Sequence, residues 1–277
     1  MEFQYLGTAA AEGVPALWCN CETCRKSRKI GGRAIRTRSQ AIIDGKLLID
    51  FPADTYMHVL QNGIDLLNVE HCIVTHSHSD HLYADDICMI RPGFAHLPQG
   101  YKMTFHGTAK MAKKLLPAVT PIAEQHGCVG FEEIVPLVPV RIAGYEITAL
   151  PAIHDPNAGP VFYQISDGDK TVLYANDTHF FHEDVWAYWE KTKPHFDMVS
   201  LDCTNSCLPL TYVGHMSLYE NVRVREKMLE MGIADEKTVF ICHHFSHNGT
   251  HATYDDFVPQ AAKEGFLVSY DGMKLTL

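Results

Sequence analysis

Apolar positions fall mostly into short runs separated by turn residues, so strands come first. Glu2–Leu6 reads as a short strand. Ala41–Ile43 and Lys46–Ile49 flank Asp44-Gly45, the apolar–turn–apolar order of a hairpin. A helix is expected over Asp54–Gln61 with Asp54 as its N-cap. His71–Thr75 is a β-branched run suited to a buried strand, and THSHSDHLYADD then leads into a helix. Further along, Lys102–Phe105, Arg141–Leu150, Val161–Ser166, Lys170–Tyr174, Met198–Leu201, Thr238–Cys242, Phe266–Tyr270 and Lys274–Leu277 read as strands. Lys110–Leu116, Glu183–Lys191, Leu218–Met231 and Tyr254–Lys263 read as helices. Strand pairs at the head of each half, followed by alternation, predict an α/β chain of two mixed sheets with helices outside.

Length and composition change this picture little. A chain of 277 residues can bury one large core, and a single domain over 1–277 is the expectation. No segment approaches the roughly 18 apolar residues of a membrane span. The start MEFQYLGTAA lacks the basic-then-apolar order of a secretory signal, which makes the cytoplasm the expected location. The formal net charge of −10 argues against a long nucleic acid as partner, because phosphate backbones are held chiefly by Lys and Arg. It leaves room for a small phosphorylated substrate, since bound metal ions reverse the local charge. A homodimer is the default assembly.

Seventeen His and nine Cys are many for this length, and they cluster. His76-Ser77-His78-Ser79-Asp80-His81 places four metal-ligating side chains in six residues directly after a strand. In extended chain, positions i and i+2 point the same way, so His76 and His78 can reach one ion. Asp80 and His81, at the turn that follows, can reach a second nearby. Imidazole and carboxylate ligands suit zinc, manganese or iron. His154, Asp177 and the doubled His243-His244 each stand just past an apolar strand, where α/β sheets gather functional groups. Asp177 has two carboxylate oxygens and is suited to bridging both ions. Cys19, Cys21 and Cys24 form a second cluster that can wrap three corners of a zinc tetrahedron, with free or redox-active thiols as the alternative. His247 is the candidate fourth ligand, because it sits a short step past His244 and can face the other way.

HSHSDH resembles the His-x-His-x-Asp-His signature of the metallo-β-lactamase superfamily, and the ordered later His, Asp and His complete that family's ligand set. The resemblance implies an αββα sandwich. It assigns His76, His78 and His154 to one ion, Asp80, His81 and His244 to the other, and Asp177 to both. Asp177 stands where the common zinc β-lactamases use Cys, which disfavours antibiotic hydrolysis.

Within the superfamily, the Cys-x-Cys-x-x-Cys loop and His244-Phe245-Ser246-His247 resemble the PhnP-like cyclic-phosphate phosphodiesterases of carbon–phosphorus lyase operons. That likeness implies a structural zinc on Cys19, Cys21, Cys24 and His247, and it favours His244 over His243 in the catalytic set. Gly214-His215-Met216 resembles the setting in which such phosphodiesterases, including relatives of tRNase Z, contact the scissile phosphate; this makes His215 a phosphate-binding and general-acid candidate. The implied reaction is hydrolysis of a small phosphodiester, with Asp80 orienting the attacking water. Asp202 and Asp85 or Asp86 are the candidate outer partners. Arg91–Tyr101 and Asn205–Val213 are extra material expected to wall the site, and Asn176-Asp177 replaces the usual Gly-Asp. The rival readings are a tRNase Z-like nuclease, an ester or lactone hydrolase, and a non-catalytic zinc scaffold.

Overall fold

A computed structural model describes residues 1–208, 213–250 and 252–277. The first sheet holds β1 (Glu2–Gly7), β2 (Gln40–Ile43), β3 (Leu47–Ile49), β4 (His71–Ile73), β5 (Met103–Gly107), β6 (Val129–Glu133) and, from the chain end, β14 (Lys274–Thr276). Its order is β14-β1-β2-β3-β4-β5-β6, antiparallel on the β14 side and parallel from β3 to β6. The second sheet holds β7 (Val140–Ile142), β8 (Tyr145–Pro151), β9 (Val161–Ser166), β10 (Thr171–Ala175), β11 (Met198–Asp202), β12 (Val239–His243) and β13 (Leu267–Val268). Here β7 to β10 are antiparallel and β10 to β13 parallel. The helices are α1 (Glu22–Ile30), α2 (Thr55–Asn62), α3 (Ala109–His126), α4 (Glu183–Thr192), α5 (Leu218–Glu230) and α6 (Tyr254–Lys263). None among the described residues is long and apolar enough to cross a membrane.

Alternation along the strands builds the layers. In β9 and β10, Tyr163, Ile165, Val172 and Tyr174 join Phe3, Tyr5, Ile43, Ile49 and Ile73 in the core between the sheets. Phe162, Leu173 and Ala175 face the other way, packing with Val185, Trp186 and Trp189 of α4, Val224 and Met228 of α5, and Phe257 of α6. A sheet covered on both faces reads as near-continuous apolar runs, which is why these strands were legible. Tyrosines between the sheets keep their hydroxyls paired: Tyr5 donates to Ser200 Oγ at 2.7 Å and Tyr163 to the Val74 carbonyl at 2.6 Å.

Several elements depart from expectation. The run Arg141–Leu150 is a hairpin, β7–β8, because Ala143 and Gly144 adopt positive φ (54° and 90°) and turn the chain. Helix α3 runs through Pro117 and Pro121, held by the buried stripe Met111, Leu115, Val119 and Ile122. Helix α1 and strand β6 carry too little apolar pattern to be seen: α1 buries only Cys24 and Ser27. The residues after His81 form a 3-10 run, Ala84–Ile90, rather than an α-helix. Asp54 precedes α2, but its carboxylate accepts from the Arg38 N–H at 2.8 Å and makes no side-chain cap. Ser217 caps α5 as expected, in a reciprocal pair with Glu220.

Gly7 closes β1 where the pairing with β2 slips, and a Cβ there would lie 1.9 Å from the Arg38 carbonyl oxygen. That neighbour is backbone and cannot swing aside. Gly7→Ala is therefore expected to destabilise by about 3 kcal/mol. Thermal melting should show this as a Tm lowered by roughly 6–12 °C; a shift under about 2 °C would show that the backbone yields.

Candidate metal centre and active site

The strands β3, β4, β8, β10, β11 and β12 all finish at one edge of the sandwich, and each delivers a polar side chain there. Three of these chains turn abruptly. Asp50, Asp177 and His244 adopt positive φ (68°, 48° and 63°) just past β3, β10 and β12. Each costs on the order of 1 kcal/mol for a residue with a Cβ, a strain that collects at functional sites.

His76 Nε2 lies 3.0 Å from His78 Nδ1, which lies 3.2 Å from His154 Nε2. Nitrogens about 2.0–2.1 Å from a tetrahedral ion sit about 3.3 Å apart, so this triangle has the size of one metal face. Asp80, His81 and His244 form a second group. His81 Nε2 lies 3.2 Å from Asp80 Oδ2, and both His81 Nε2 and His244 Nε2 lie 2.9 Å from Asp177 Oδ2. Asp177 Oδ1 turns the other way, 3.6 Å from His154 Nε2. Its two oxygens thus divide between the two groups.

The donor set fits cations rather than hydrogen bonds. His81 Nε2, His244 Nε2 and Asp177 Oδ2 are buried and close together, yet none has a hydrogen-bond partner among the described residues. Their lone pairs converge instead of pairing donor to acceptor, as ligand atoms do around an ion. The far ring nitrogens are all engaged, which fixes the ring orientations. His81 Nδ1 contacts Asp50 Oδ2 at 2.7 Å, His244 Nδ1 contacts Thr204 Oγ1 at 2.9 Å, and His76 Nδ1 contacts Thr75 Oγ1 at 3.1 Å. His154 Nδ1 faces the Gly214 carbonyl at 3.3 Å, and His78 Nε2 faces Asp155 at 3.3 Å.

His243 points elsewhere. Its Nε2 meets Ser39 Oγ and Tyr174 OH, and its Nδ1 meets Ser269 Oγ, all in the buried core. His215 stands beside the cage, its ring centroid 5.0 Å from that of His154 and 5.8 Å from that of His244. Its Nδ1 is 2.9 Å from Asp202 Oδ2. Burial disfavours the imidazolium, but the Asp202 charge outweighs it and brings His215 up to about 9. A pocket of about 280 Å³ over the cage is lined by Glu12, His78, Asp80, His154, Asn205 and His215, among others.

The expected outer partners need correction. Asp202 takes its place, but Asp85 is exposed, Asp86 is half-buried, and neither side chain is hydrogen-bonded to the cage. The 3-10 run carries them outward. Asp50 does that work instead; with no spacing motif around it, only the pairing of β3 with β4 brings it to Thr75 and His81. Arg91–Tyr101 does not wall the cage either. Ala95, Leu97 and Tyr101 line a separate apolar cavity of about 230 Å³ with Phe51, Ile87 and Phe105. Of Asn205–Val213, Asn205 lines the pocket, and residues 209–212 lie outside the described residues.

On the other side of residues 244–247, Cys19, Cys21, Cys24 and His247 gather their ligand atoms within 4.8 Å of one another. His247 Nδ1 is 3.5 Å from both Cys19 Sγ and Cys21 Sγ. Backbone N–H groups of Cys21, Cys24 and Ala16 point at the three sulfurs, at 3.4, 3.4 and 3.3 Å. Burial raises the Cys21 thiol, but the Cys24 N–H and His247 outweigh it and bring it down to about 6, favouring thiolate.

The αββα sandwich with a His/Asp cage at its edge defines the class: a metal-dependent hydrolase of the metallo-β-lactamase fold. The model of the beta-lactamase superfamily domain matches residues 49–244, and the chain belongs to that superfamily, whose members use divalent metals. No curated protein sequence matches the chain significantly. Among solved structures, it is similar to a diphosphatase of the PhnP family (21% identity, 100% of this chain and 97% of that one, TM-score 0.74). It is similar to zinc-bound PqqB from Methylobacterium extorquens (17% identity, 100% of both chains, TM-score 0.71). It also resembles the short form of human tRNase Z (13% identity, 100% and 99% coverage, TM-score 0.68). At these identities the likenesses speak for the fold.

Proposed function

We propose that the protein hydrolyses a small phosphodiester, cyclic esters included, with two divalent ions, zinc or manganese, in the cage. His76, His78 and His154 would hold one, Asp80, His81 and His244 the other, and Asp177 both. When bound, such ions activate a water and neutralise charge that develops on the phosphate. Cys19, Cys21, Cys24 and His247 would hold a third, structural zinc. Nine cysteines without a disulfide suit a reducing compartment such as the cytoplasm.

The observation that carries the reading is His215. Its Nδ1–H donates to Asp202, which keeps the ring an imidazolium with a proton to give, and the ring lines the pocket over the cage. A fixed cation beside a two-ion cage suits a phosphate oxygen, and the same proton can pass to a departing alkoxide. Asp80 lines the pocket and can accept from the attacking water. No Lys or Arg is among the described pocket-lining residues, and about 280 Å³ admits one small ester, so a long nucleic acid is disfavoured. A diphosphate-linked substrate is the second reading, favoured by the likeness to a PhnP-family diphosphatase.

The test is metal analysis beside a panel of bis(p-nitrophenyl) phosphate, 2′,3′-cyclic nucleotides, ribosyl 1,2-cyclic phosphate, a dinucleoside diphosphate and lactones. Turnover confined to lactones would overturn the proposal. His215→Asn should keep both cage ions and lower kcat/KM on alkoxide-leaving diesters about 10²–10³-fold. On p-nitrophenolate esters, whose leaving group needs no proton, the loss should be about tenfold or less. Equal losses on both would remove the general-acid role.

A further inference from the structure

Between the thiol cluster and the cage stands one carboxylate that neither site accounts for. Glu12 sits in the turn 10–13, which is closed by Gly13 N–H donating to Ala10 O and tied to the 244–247 loop by Ala10 N–H donating to Phe245 O. Its Oε1 collects three consecutive residues. Ser246 Oγ donates to it, Asn248 Nδ2 donates to it at 3.4 Å, and His247 Nε2 lies 3.5 Å away. The opposite nitrogen of that imidazole faces the thiols, so Oε1 fixes the His247 ring. Oε2 has no hydrogen-bond partner among the described residues, and Glu12 lines the pocket over the cage together with Asn205, Ser246 and Asn248.

We propose that Glu12 determines substrate preference. One oxygen is held by the 246–248 segment, and the other is a fixed acceptor in the pocket for a hydroxyl on the part of the substrate that is not cleaved. No Lys or Arg stands among the described lining residues, and His215, the cation that feels the Glu12 charge, is paired with Asp202, so a second phosphate placed against Oε2 meets a like charge. The neighbouring asparagines and Ser246 suit a neutral, hydroxyl-bearing group in the same way. The substrate class is then a phosphodiester whose remaining half is a sugar or polyol with a free hydroxyl. This inference rests on the phosphodiesterase reading.

The experiment compares adenosine 2′,3′-cyclic phosphate with its 5′-phosphorylated counterpart, which differ only in hydroxyl against phosphate. The wild-type protein should prefer the free hydroxyl by about 30-fold or more in kcat/KM, mainly through KM. Glu12→Gln keeps an oxygen for Ser246 and His247 and places an amide in the pocket; it should retain the loop zinc and cut the preference about tenfold. Calorimetry with the products, adenosine 3′-phosphate and adenosine 3′,5′-bisphosphate, should show the same change in the ratio of Kd values. A wild-type protein that cleaves neither diester overturns the phosphodiesterase reading, and this inference with it. Cleavage of both without preference, a preference unchanged in Glu12→Gln, or one lost only together with the zinc overturns the role of Glu12 alone.

Discussion

Asp177→Asn is expected to lower kcat/KM by about 10⁴-fold or more and to cost the cage at least one of the two metal equivalents proposed for it. Asp177 reaches both groups with separate oxygens, Oδ2 at 2.9 Å from His81 and His244 Nε2 and Oδ1 facing His154. Burial raises its pKa, yet the charges of His244 and His81 outweigh this and hold it well below the carboxylate range, so at neutral pH it is an anion among imidazoles. Asparagine keeps the shape and accepts the left-handed backbone at φ 48°, so the fold should survive. What it removes is one anionic oxygen and the shared ligand. The measurements are metal content by elemental analysis and steady-state rates on the fastest panel substrate, with circular dichroism as the check on folding. A well-folded variant that keeps both equivalents would defeat the bridging assignment.

The second large effect is expected at the thiol cluster. Cys21→Ser should remove the zinc equivalent proposed for the thiol cluster, spare those proposed for the cage, and lower the folding yield. Cys21 also caps α1, its Sγ accepting from Cys24 N–H at 3.4 Å. Serine caps a helix at least as well, so any loss reports on the ion and not on the cap. The thiol cluster fastens the segment before α1 to the loop 244–247, and thereby braces His244. Losing it should destabilise by about 4 kcal/mol, or roughly 8–16 °C in Tm. An unchanged metal count, with Tm within about 2 °C of wild type, would return these cysteines to the status of free thiols.

Much of the cage was legible in the chain because its chemistry is written locally. Four ligating side chains in six residues after a β-branched strand is a short-range pattern. So is a His or Asp one to three residues past an apolar strand, and so is a Cys-x-Cys-x-x-Cys loop. The two mixed sheets were readable for the same reason, since strand period and turn residues are properties of neighbours. What lacked a local pattern was missed. Helix α1 buries too few residues to leave a stripe, and β6 is an edge strand with a half-polar sequence. Asp85 and Asp86 stand near the motif in sequence but not at the cage, whereas Asp50, which orients His81, is near it only in space.

The sequence by itself determined the kind of chemistry: which residue types are present, in what order, and at which strand ends. Only the tertiary structure decided which of them meet. It turned His244 rather than His243 into the cage through a left-handed residue after β12, and it split the oxygens of Asp177 between two groups of histidines. It set Glu12, 234 positions away from Ser246, against the thiol cluster and the pocket at once. The physical reason is that ligation depends on lone-pair direction at separations of about 3 Å, and such directions follow from how sheets pair and chains turn, which the spacing of residues along the chain does not specify.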